Sequence, residues 1–539
     1  MSNSYSFQQL RVPLASRDRM AYYLAQQLRI PDSAIQNFEP IRVALDSRKK
    51  GNPYWSCNVH FSSDLSLNHP QLSAWKESPE TIENIPGAGA MDLGDRVVVV
   101  GSGPAGMWAA LSLVRKGYRV ELHEQGKPVT ERFLDIRRFL NGREFNPRSN
   151  ILFGEGGAGA YSDGKLTSRT RNPFVDSVLN DLARAGAGDE VRWLAKAHIG
   201  TDRLQAILVK VRSWIEDAGG RVIFDSKLTD LEIVEGRVAR VAFNDRWQDC
   251  SALVLATGHS ARDIYTLLDQ RGVALEAKPF AMGVRVEHPQ DFINERQFGR
   301  GVDYHLTGSA EYSLTAPGAY SFCMCPGGVL IPCASEPDGF ATNGMSYSRR
   351  NAPFANSGIV VPVAGTPGWW NESAFNPGVK GALAASESPE IWAGIALQRS
   401  LERQAFELGG RNYSAPAQTV AAFMDDRTDS ALPKSSYPTG IVPTNHWDWM
   451  PLPLNKAIAE AFENFERKIP GWIRHGLLVS PETRTSSPLR IPRNDQLESI
   501  NVRGLYPLGE GAGYAGGITT SAADGVRLGA MAMAKEAKR

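Results

Sequence analysis

Cysteine is scarce in this 539-residue chain: Cys57, Cys250, Cys323, Cys325 and Cys333, an odd number thinly spread. That excludes a disulfide framework and fits a reducing, cytoplasmic setting. No Cys/His cluster has zinc-ligand spacing. Cys323-Met324-Cys325 leaves one residue between its thiols, and no second pair completes a site, so no metal is expected. A charge excess is lacking too. The 59 Lys and Arg against 58 Asp and Glu leave a formal net charge of +1, and neither nucleic acid nor an anionic membrane is expected as a partner. The uncharged stretch at residues 97–114 approaches a membrane span in length, but Gly101-Ser102-Gly103-Pro104 breaks it. The opening Met1-Ser2-Asn3-Ser4-Tyr5 carries no basic region ahead of an apolar run, so no signal peptide is expected. Also missing are a C-x-x-C or C-x4-C pair and a second strand–G-x-G-x-x-G–helix unit.

What is present centres on residues 96–111. Four valines, 97–100, read as a buried parallel strand. Gly101-Ser102-Gly103-Pro104-Ala105-Gly106 then makes a tight turn into an alanine- and leucine-rich helix. Gly101 permits the turn, Gly103 lets backbone approach a pyrophosphate, and Gly106 lets helix pack close to strand. A second strand, 118–124, ends in Glu124, where the acid that grips an adenosine ribose belongs, followed by Gln125. A glycine-rich turn with no ligand is the competing reading. Strand before, helix after and acid at this distance favour dinucleotide binding.

Four regions follow from the pattern. Residues 1–90 read as a small α/β domain, with strands near 10–14, 41–46 and 55–61, a helix over 18–28 and a basic turn at 48–51 that is most simply a solvated loop. Residues 78–94 are polar, with proline and glycine, and read as a linker. Residues 91–274 form the first part of a nucleotide-binding domain. They include a charged helix at 132–140, a loop of small residues at 150–166 suited to lying flat on a ligand, and a helix at 201–218. A hairpin, 227–233 with 237–243, and a strand closing in Ala256-Thr257-Gly258 complete this part. Residues 275–500 read as an inserted mixed α+β substrate domain, with a hairpin over 320–332, and 501–539 as the return to the nucleotide fold through Gly509-Glu510-Gly511 and a last helix.

These motifs resemble the two-dinucleotide-fold flavoproteins, and more closely the uncharacterised bacterial FAD-dependent dehydrogenases with an N-terminal α/β extension. The closer likeness rests on residues 153–159 with Ser162-Asp163-Gly164-Lys165-Leu166, on 320–328 with 343–347, and on 482–488 with 509–518. The resemblance implies a Rossmann-like FAD-binding domain of the glutathione-reductase type carrying an inserted substrate domain. It implies FAD held by Gly101 to Gly106, Glu124 and Gln125 with Arg132 near the ribose. It places Gly156, Gly157, Ala158, Gly159, Ser162, Asp163, Lys165 and Leu166 along flavin and pyrophosphate, and Leu228 at adenine. Ala256, Thr257, Gly258, Gly509, Glu510, Gly511, Gly516, Gly517 and Ile518 complete the set, the last two presenting N–H groups to the flavin N1–C2=O edge.

For chemistry, Cys323 and Cys325 at i and i+2 on a strand share a face and form a candidate redox pair or nucleophile, against packing as small hydrophobes. Tyr347, with Arg349, is a candidate carboxylate holder or proton donor. Arg484 in its Ser/Thr-rich loop is a candidate flavin or substrate contact, against a structural ion pair. His259, His305 and His446 are candidate bases. Trp447-Asp448-Trp449-Met450-Pro451 is similar to a flavin-halogenase signature but has the wrong proline spacing and lies too late, so it reads as packing. The expectation is an FAD-dependent dehydrogenase or oxidase moving hydride from a small organic substrate to flavin N5. Electrons are expected to enter from that substrate, or from NAD(P)H bound without a dedicated domain, and an external electron acceptor is a further candidate partner. A flavin monooxygenase and a partner-binding or tRNA-binding flavoprotein are the alternatives.

Overall fold

The structure, a computed structural model, describes residues 3–75, 81–168, 172–363 and 389–535. Residues 78–80 of the expected linker lie outside the described residues. At its centre is a five-stranded parallel sheet in the order Leu505–Pro507, Ala252–Leu255, Val97–Val100, Val120–His123 and Arg221–Ile223. All four valines of the middle strand are buried, as a strand covered on both faces requires. The last strand in the chain pairs beside one formed some 250 residues earlier, so the fold closes only when the C-terminus returns.

The helix Pro104–Arg115 leaves the glycine turn and packs against the terminal helix Ile518–Met531. Small residues set their separation. A Cβ on Gly525 would stand 2.4 Å from the Ala105 carbonyl oxygen, and one on Gly529 2.2 Å from Ser112 Cβ. The expected hairpin is present as Leu228–Val234 with Arg237–Phe243, joined through Glu235 and Gly236 at φ +49° and +71°, and Arg246–Asp249 extends it to a meander.

A larger, eight-stranded sheet carries the inserted region. Here one expectation fails. Residues 320–332 are not a hairpin but part of a single long strand, Ala319–Glu336. Its first half pairs with Phe354–Val363 and its second half with Gly339–Met345. Pro326-Gly327-Gly328 reads locally as a turn, yet partners on both sides hold the chain extended and the glycines absorb a register shift instead. The two halves of the molecule meet at a short antiparallel pair, Glu276–Ala277 with Leu489–Arg490. The N-terminal sheet, Gln36–Asp46, Tyr54–Ser63, Asn3–Pro13 and Leu72–Ala74, has its own core of Phe7, Leu10, Leu24, Val59 and Phe61 under the helix Met20–Leu28. Among the described residues no helix is long and apolar enough to cross a membrane.

Gly525→Ala tests the helix pairing. Helix propensity gains under about 1 kcal/mol, but the new methyl must displace Ala105 backbone. A net loss of about 1–3 kcal/mol is expected, read as a lower urea midpoint at unchanged m-value.

Candidate functional site

One cavity of about 660 Å³ runs along the C-terminal edge of the parallel sheet and under the inserted sheet. Gly101, Gly103, Pro104 and Ala105 line its middle. The three glycines of the turn do separate things. Gly101 has φ +98° and a Cβ there would strike the Ala256 carbonyl at 2.4 Å. A Cβ on Gly106 would fall 1.9 Å from the Gly101 carbonyl oxygen, so Gly106 packs helix on strand and does not face the cavity. On Gly103 a Cβ would meet no protein atom within 4 Å.

Glu124 stands at the cavity wall beside Gln125. Its carboxylate is already occupied. Oε2 accepts from Ser102 N at 2.9 Å and Ser102 Oγ at 2.8 Å, and Oε1 from Gly126 N at 2.9 Å and Gly154 N at 3.0 Å. Ser102 is thereby turned away from the cavity. Arg132 is a correction. It is completely buried, does not line the cavity, and fills its fork with backbone carbonyls: Asn150 at 2.7 Å, Ile151 at 2.8 Å, Glu155 at 2.8 Å, Gly157 at 2.9 Å and Gly154 at 3.3 Å. Burial lowers its pKa to about 10, against the pull of Tyr161, Glu124 and Glu155. Arg132 therefore shapes the 150–166 loop from behind.

From that loop Gly157, Ala158, Gly159, Ser162, Asp163 and Lys165 line the cavity. Gly156 and Leu166 do not. A Cβ on Gly156 would lie 2.3 Å from Leu208 Cδ1, and Leu166 is buried in the core. Leu228 walls one end, and Ala256, Thr257 and Gly258 lie opposite. On the return segment Glu510, Gly516, Gly517 and Ile518 face the cavity. Gly509 and Gly511 face away, because a Cβ on either would stand 2.7 Å from Ala105 Cβ or 2.8 Å from Gly258 backbone. Gly258, Gly516 and Gly517, like Gly103, would carry a Cβ into space free of protein atoms. Bare backbone thus faces an elongated volume, and two helix N-termini, at Pro104 and Ile518, open onto it. That is the donor set an extended dinucleotide needs.

The far wall comes from the inserted sheet. Cys323 lines the cavity, whereas Cys325 is fully buried behind it, so the expected shared face is lost. Tyr347 is 48% exposed and lies outside the cavity, and Arg349 is exposed beside it. Their turn closes on Asp202 through Ser348, which leaves the tyrosine in solvent. Arg484 edges the cavity, but its fork is closed on Glu402 at 2.9 and 2.7 Å and on Ser335 Oγ at 2.7 Å, the structural ion pair. Arg262 grips the same carboxylate at 2.9 Å twice. Burial would raise the Glu402 carboxyl, yet the two guanidiniums overcome it and hold it well below the usual range.

His259 lines the wall, and burial together with the Arg484 and Arg262 charges pushes it down to about 3, so it is neutral. Its Nε2 stands 3.8 Å from Glu510 Oε1. Burial pushes Glu510 up to about 7, against a hydrogen bond from the Gly517 N–H and the charge of Lys278. His305 is exposed and His446 is sealed against Gln418 Oε1 at 3.0 Å, and neither reaches the cavity. Trp447 stacks on Phe423 with ring centroids 5.3 Å apart, which is packing. Sequence reasoning missed the partners: Arg350 on Asp163, Arg262 on Glu402, and Asn343 at the wall. Pairings across more than a hundred residues leave no local periodicity to read. Among the described residues no group of His, Cys, Asp and Glu could hold a metal ion.

Comparison with known proteins places the chain in a family. Residues 95–286 match the family described as pyridine nucleotide-disulphide oxidoreductase, and residues 279–485 match the FAD-dependent protein, C-terminal domain-like family. An uncharacterized protein from Clostridium beijerinckii is 40% identical over 519 residues, covering 94% of each chain. Among solved structures, L-proline dehydrogenase from P. horikoshii is 10% identical with a TM-score of 0.38, covering 81% of this chain and 93% of that one. CtdE in complex with FAD is 11% identical with a TM-score of 0.29, covering 81% of this chain and 82% of that one. Neither structural likeness is close enough to carry an argument about this chain. The cofactor is FAD, and the chain belongs to the family of FAD-dependent oxidoreductases that join a pyridine nucleotide-disulphide oxidoreductase module to an FAD-dependent C-terminal module.

Proposed function

We infer that the protein is a dehydrogenase that takes hydride from a small organic substrate. The observation that carries this reading is the continuity of the cavity. One volume extends from Leu228 and Glu124, past two helix N-termini, to a wall built by the inserted sheet. Bound FAD supplies a two-electron acceptor there. The chain's own residues do the rest. Gly103 and Gly157 bring backbone close to the phosphates, and Leu228 meets the adenine. Gln125 is left to reach the ribose, because Glu124 is saturated by Ser102, Gly126 and Gly154. The N-terminus of Ile518–Met531 favours negative charge at the flavin's pyrimidine edge. Glu510, pushed up to about 7, is the group matched to accept a proton from a substrate O–H or N–H, and His259, held neutral 3.8 Å away, stands beside it as a polar neighbour. No second glycine turn of dinucleotide type occurs in the sequence, which favours the substrate over NAD(P)H as electron source.

The direct test is anaerobic. The FAD-loaded protein is mixed with alcohols, amines, hydroxy acids and amino acids, and flavin absorbance at about 450 nm is followed. Bleaching by an organic donor and not by NADPH is expected. Rapid bleaching by NADPH alone overturns this reading in favour of a monooxygenase.

Two substitutions test the site. In Glu124→Gln one oxygen is replaced by an NH₂ that opposes the donors it must receive. Each stranded buried donor costs about 1–3 kcal/mol. Flavin retained per chain after desalting should fall, and the thermal midpoint with it.

Glu510 makes stability depend on pH. Its folded pKa, about 7, lies above the ordinary 4.5, so the folded state binds the extra proton between those values. Stability of the FAD-free protein therefore falls as pH rises through that window. Glu510→Gln removes this contribution, so the midpoint of the variant should exceed that of the wild type by a margin that grows from pH 5 to pH 8, with the pH values chosen to bracket about 4.5–7. A constant margin would discard the assignment.

A further inference from the structure

On the wall built by the inserted sheet, Asn343 belongs to the strand Gly339–Met345 and lines the cavity, half-buried. Its amide has one possible orientation. Oδ1 accepts from Arg285 Nη2 at 3.1 Å and from Gly344 N at 2.7 Å. Both neighbours are donors, so the atom they meet is the oxygen, and Nδ2 carries its two hydrogens elsewhere. Among the described residues no protein acceptor meets Nδ2, and the atom is not sealed in the core. Its donors are left to the cavity.

Arg285 fixes that orientation. It is completely buried and all five of its N–H groups are spent: Nε and Nη2 on Glu482 at 2.8 and 2.9 Å, Nη2 again on Asn343, and Nη1 on Asn356 Oδ1 at 2.8 Å. The fifth goes from Nη1 to the Cys323 carbonyl at 3.2 Å, on the bulge of the strand Ala319–Glu336. Turning the amide over would strand a buried donor. The threonines nearby donate inward, Thr342 Oγ1 to the Pro481 carbonyl at 3.0 Å and Thr485 Oγ1 to the Ala281 carbonyl at 2.5 Å. Asn343 Nδ2 and Arg484 therefore bring hydrogens to this wall and no lone pair. The carboxylate comes from the return segment: Glu510, close enough to Cys323 for the charge of that thiol to push its pKa up.

We propose that Asn343 binds the oxygen of the substrate, and that the substrate is an alcohol rather than an amine. This rests on the hydride reading above and names its substrate class. The alcohol O–H donates to Glu510 while its oxygen accepts from Asn343 Nδ2. The O–H proton passes to Glu510, the C–H hydrogen leaves with its bonding pair to bound FAD, and the C–O single bond becomes C=O. The substrate loses two electrons and two hydrogens. Its oxygen keeps a lone pair for Nδ2 throughout, and the hydrogen bond tightens as negative charge gathers there. An amine nitrogen has one lone pair. Expelling hydride consumes it in C=N⁺, so Nδ2 would face an atom unable to accept.

The test reduces the FAD-loaded protein anaerobically with matched pairs: 2-propanol and 2-aminopropane, lactate and alanine, benzyl alcohol and benzylamine. In every pair that reacts, the alcohol should bleach flavin at least about tenfold faster. Asn343→Asp keeps Oδ1 for Arg285 and Gly344 but puts an acceptor where Nδ2 stood. It should slow the alcohols about 100–1,000-fold and narrow or reverse the ratio. Faster amines, or a ratio that Asn343→Asp leaves unchanged, overturn the proposal. A binding readout is independent of turnover. Acetone and acetophenone should shift the flavin absorbance band of the wild type and bind at least about tenfold more weakly to Asn343→Asp. No shift, or equal affinity in the two proteins, overturns the proposal. Flavin that no donor bleaches, with ketone binding that depends on Asn343, sinks the hydride reading and leaves the oxygen site standing. Should Asn343→Asp not fold, the wild type decides: acetone must shift the band at lower concentration than 2-aminopropane, and the reverse order overturns the proposal.

Discussion

A carboxylate shut away from water must recover from the protein the hydrogen bonds it has lost, or it will not stay charged. Glu124 recovers four, from Ser102, Gly126 and Gly154. Those donors come from three segments: the glycine turn, the exit of the second parallel strand, and the glycine-rich loop. One negative charge therefore fixes the relative position of all three. Arg132 performs the complementary task, gathering carbonyls of residues 150–157 as Glu124 gathers N–H groups. Ile151, Leu152, Phe153 and Tyr161 anchor the loop in the main core, and a buried anion and a buried cation, each attracting the other, hold its glycine backbone between those anchors.

A backbone held from behind is free to present its other side. Gly103, Gly258, Gly516 and Gly517 all look onto volume that no protein atom occupies. The opposite wall is joined to this one by a second buried ion cluster. Arg262, on the helix Arg262–Gln270 of the parallel half, and Arg484, on the loop after the inserted sheet, share the carboxylate of Glu402. Burying three charges is costly, and an apolar joint of equal volume would often be as stable. The cluster is nonetheless directional: bidentate forks fix angle as well as distance. It keeps the two halves at one separation across a cavity, where no apolar filling can do so. It also reinforces the burial that keeps His259 neutral, because two guanidiniums stand near it.

Local rules made much of this legible. Four valines, a G-x-G-x-x-G turn and a strand ending in Glu124 are contiguous in sequence and in space, so periodicity and glycine spacing suffice. The Glu235-Gly236 turn and the return through Gly509-Glu510-Gly511 are equally local. The failures share a cause. The family resemblance implies Arg132 near the ribose, but its partners are carbonyls across the loop. Tyr347 stands beside residues of the inserted wall, yet Asp202 on the far helix Thr201–Asp217 holds its turn and leaves the ring outside. Pro326-Gly327-Gly328 has the composition of a reversal, and tertiary pairing on both flanks overrides it.

Several departures from local preference fall together at residues 322–328 of the inserted strand: two register shifts, a left-handed cysteine, and a glycine whose Cβ would lie 1.8 Å from the Arg350 carbonyl. Arg350 in turn grips Asp163, which grips Lys165, which holds the same bulge from the cavity side. A regular strand here would satisfy the ladder and need none of these groups. Strain persists only where surrounding contacts over-determine it, and here Arg285, Lys165, Asp163 and Arg350 supply that over-determination. What they fix is the aim of one side chain, carried from the plane of a sheet into the wall of a cofactor cavity. Packing alone gives no reason for that aim, because Cys325, left in the core, already fills the position that a small hydrophobe would take.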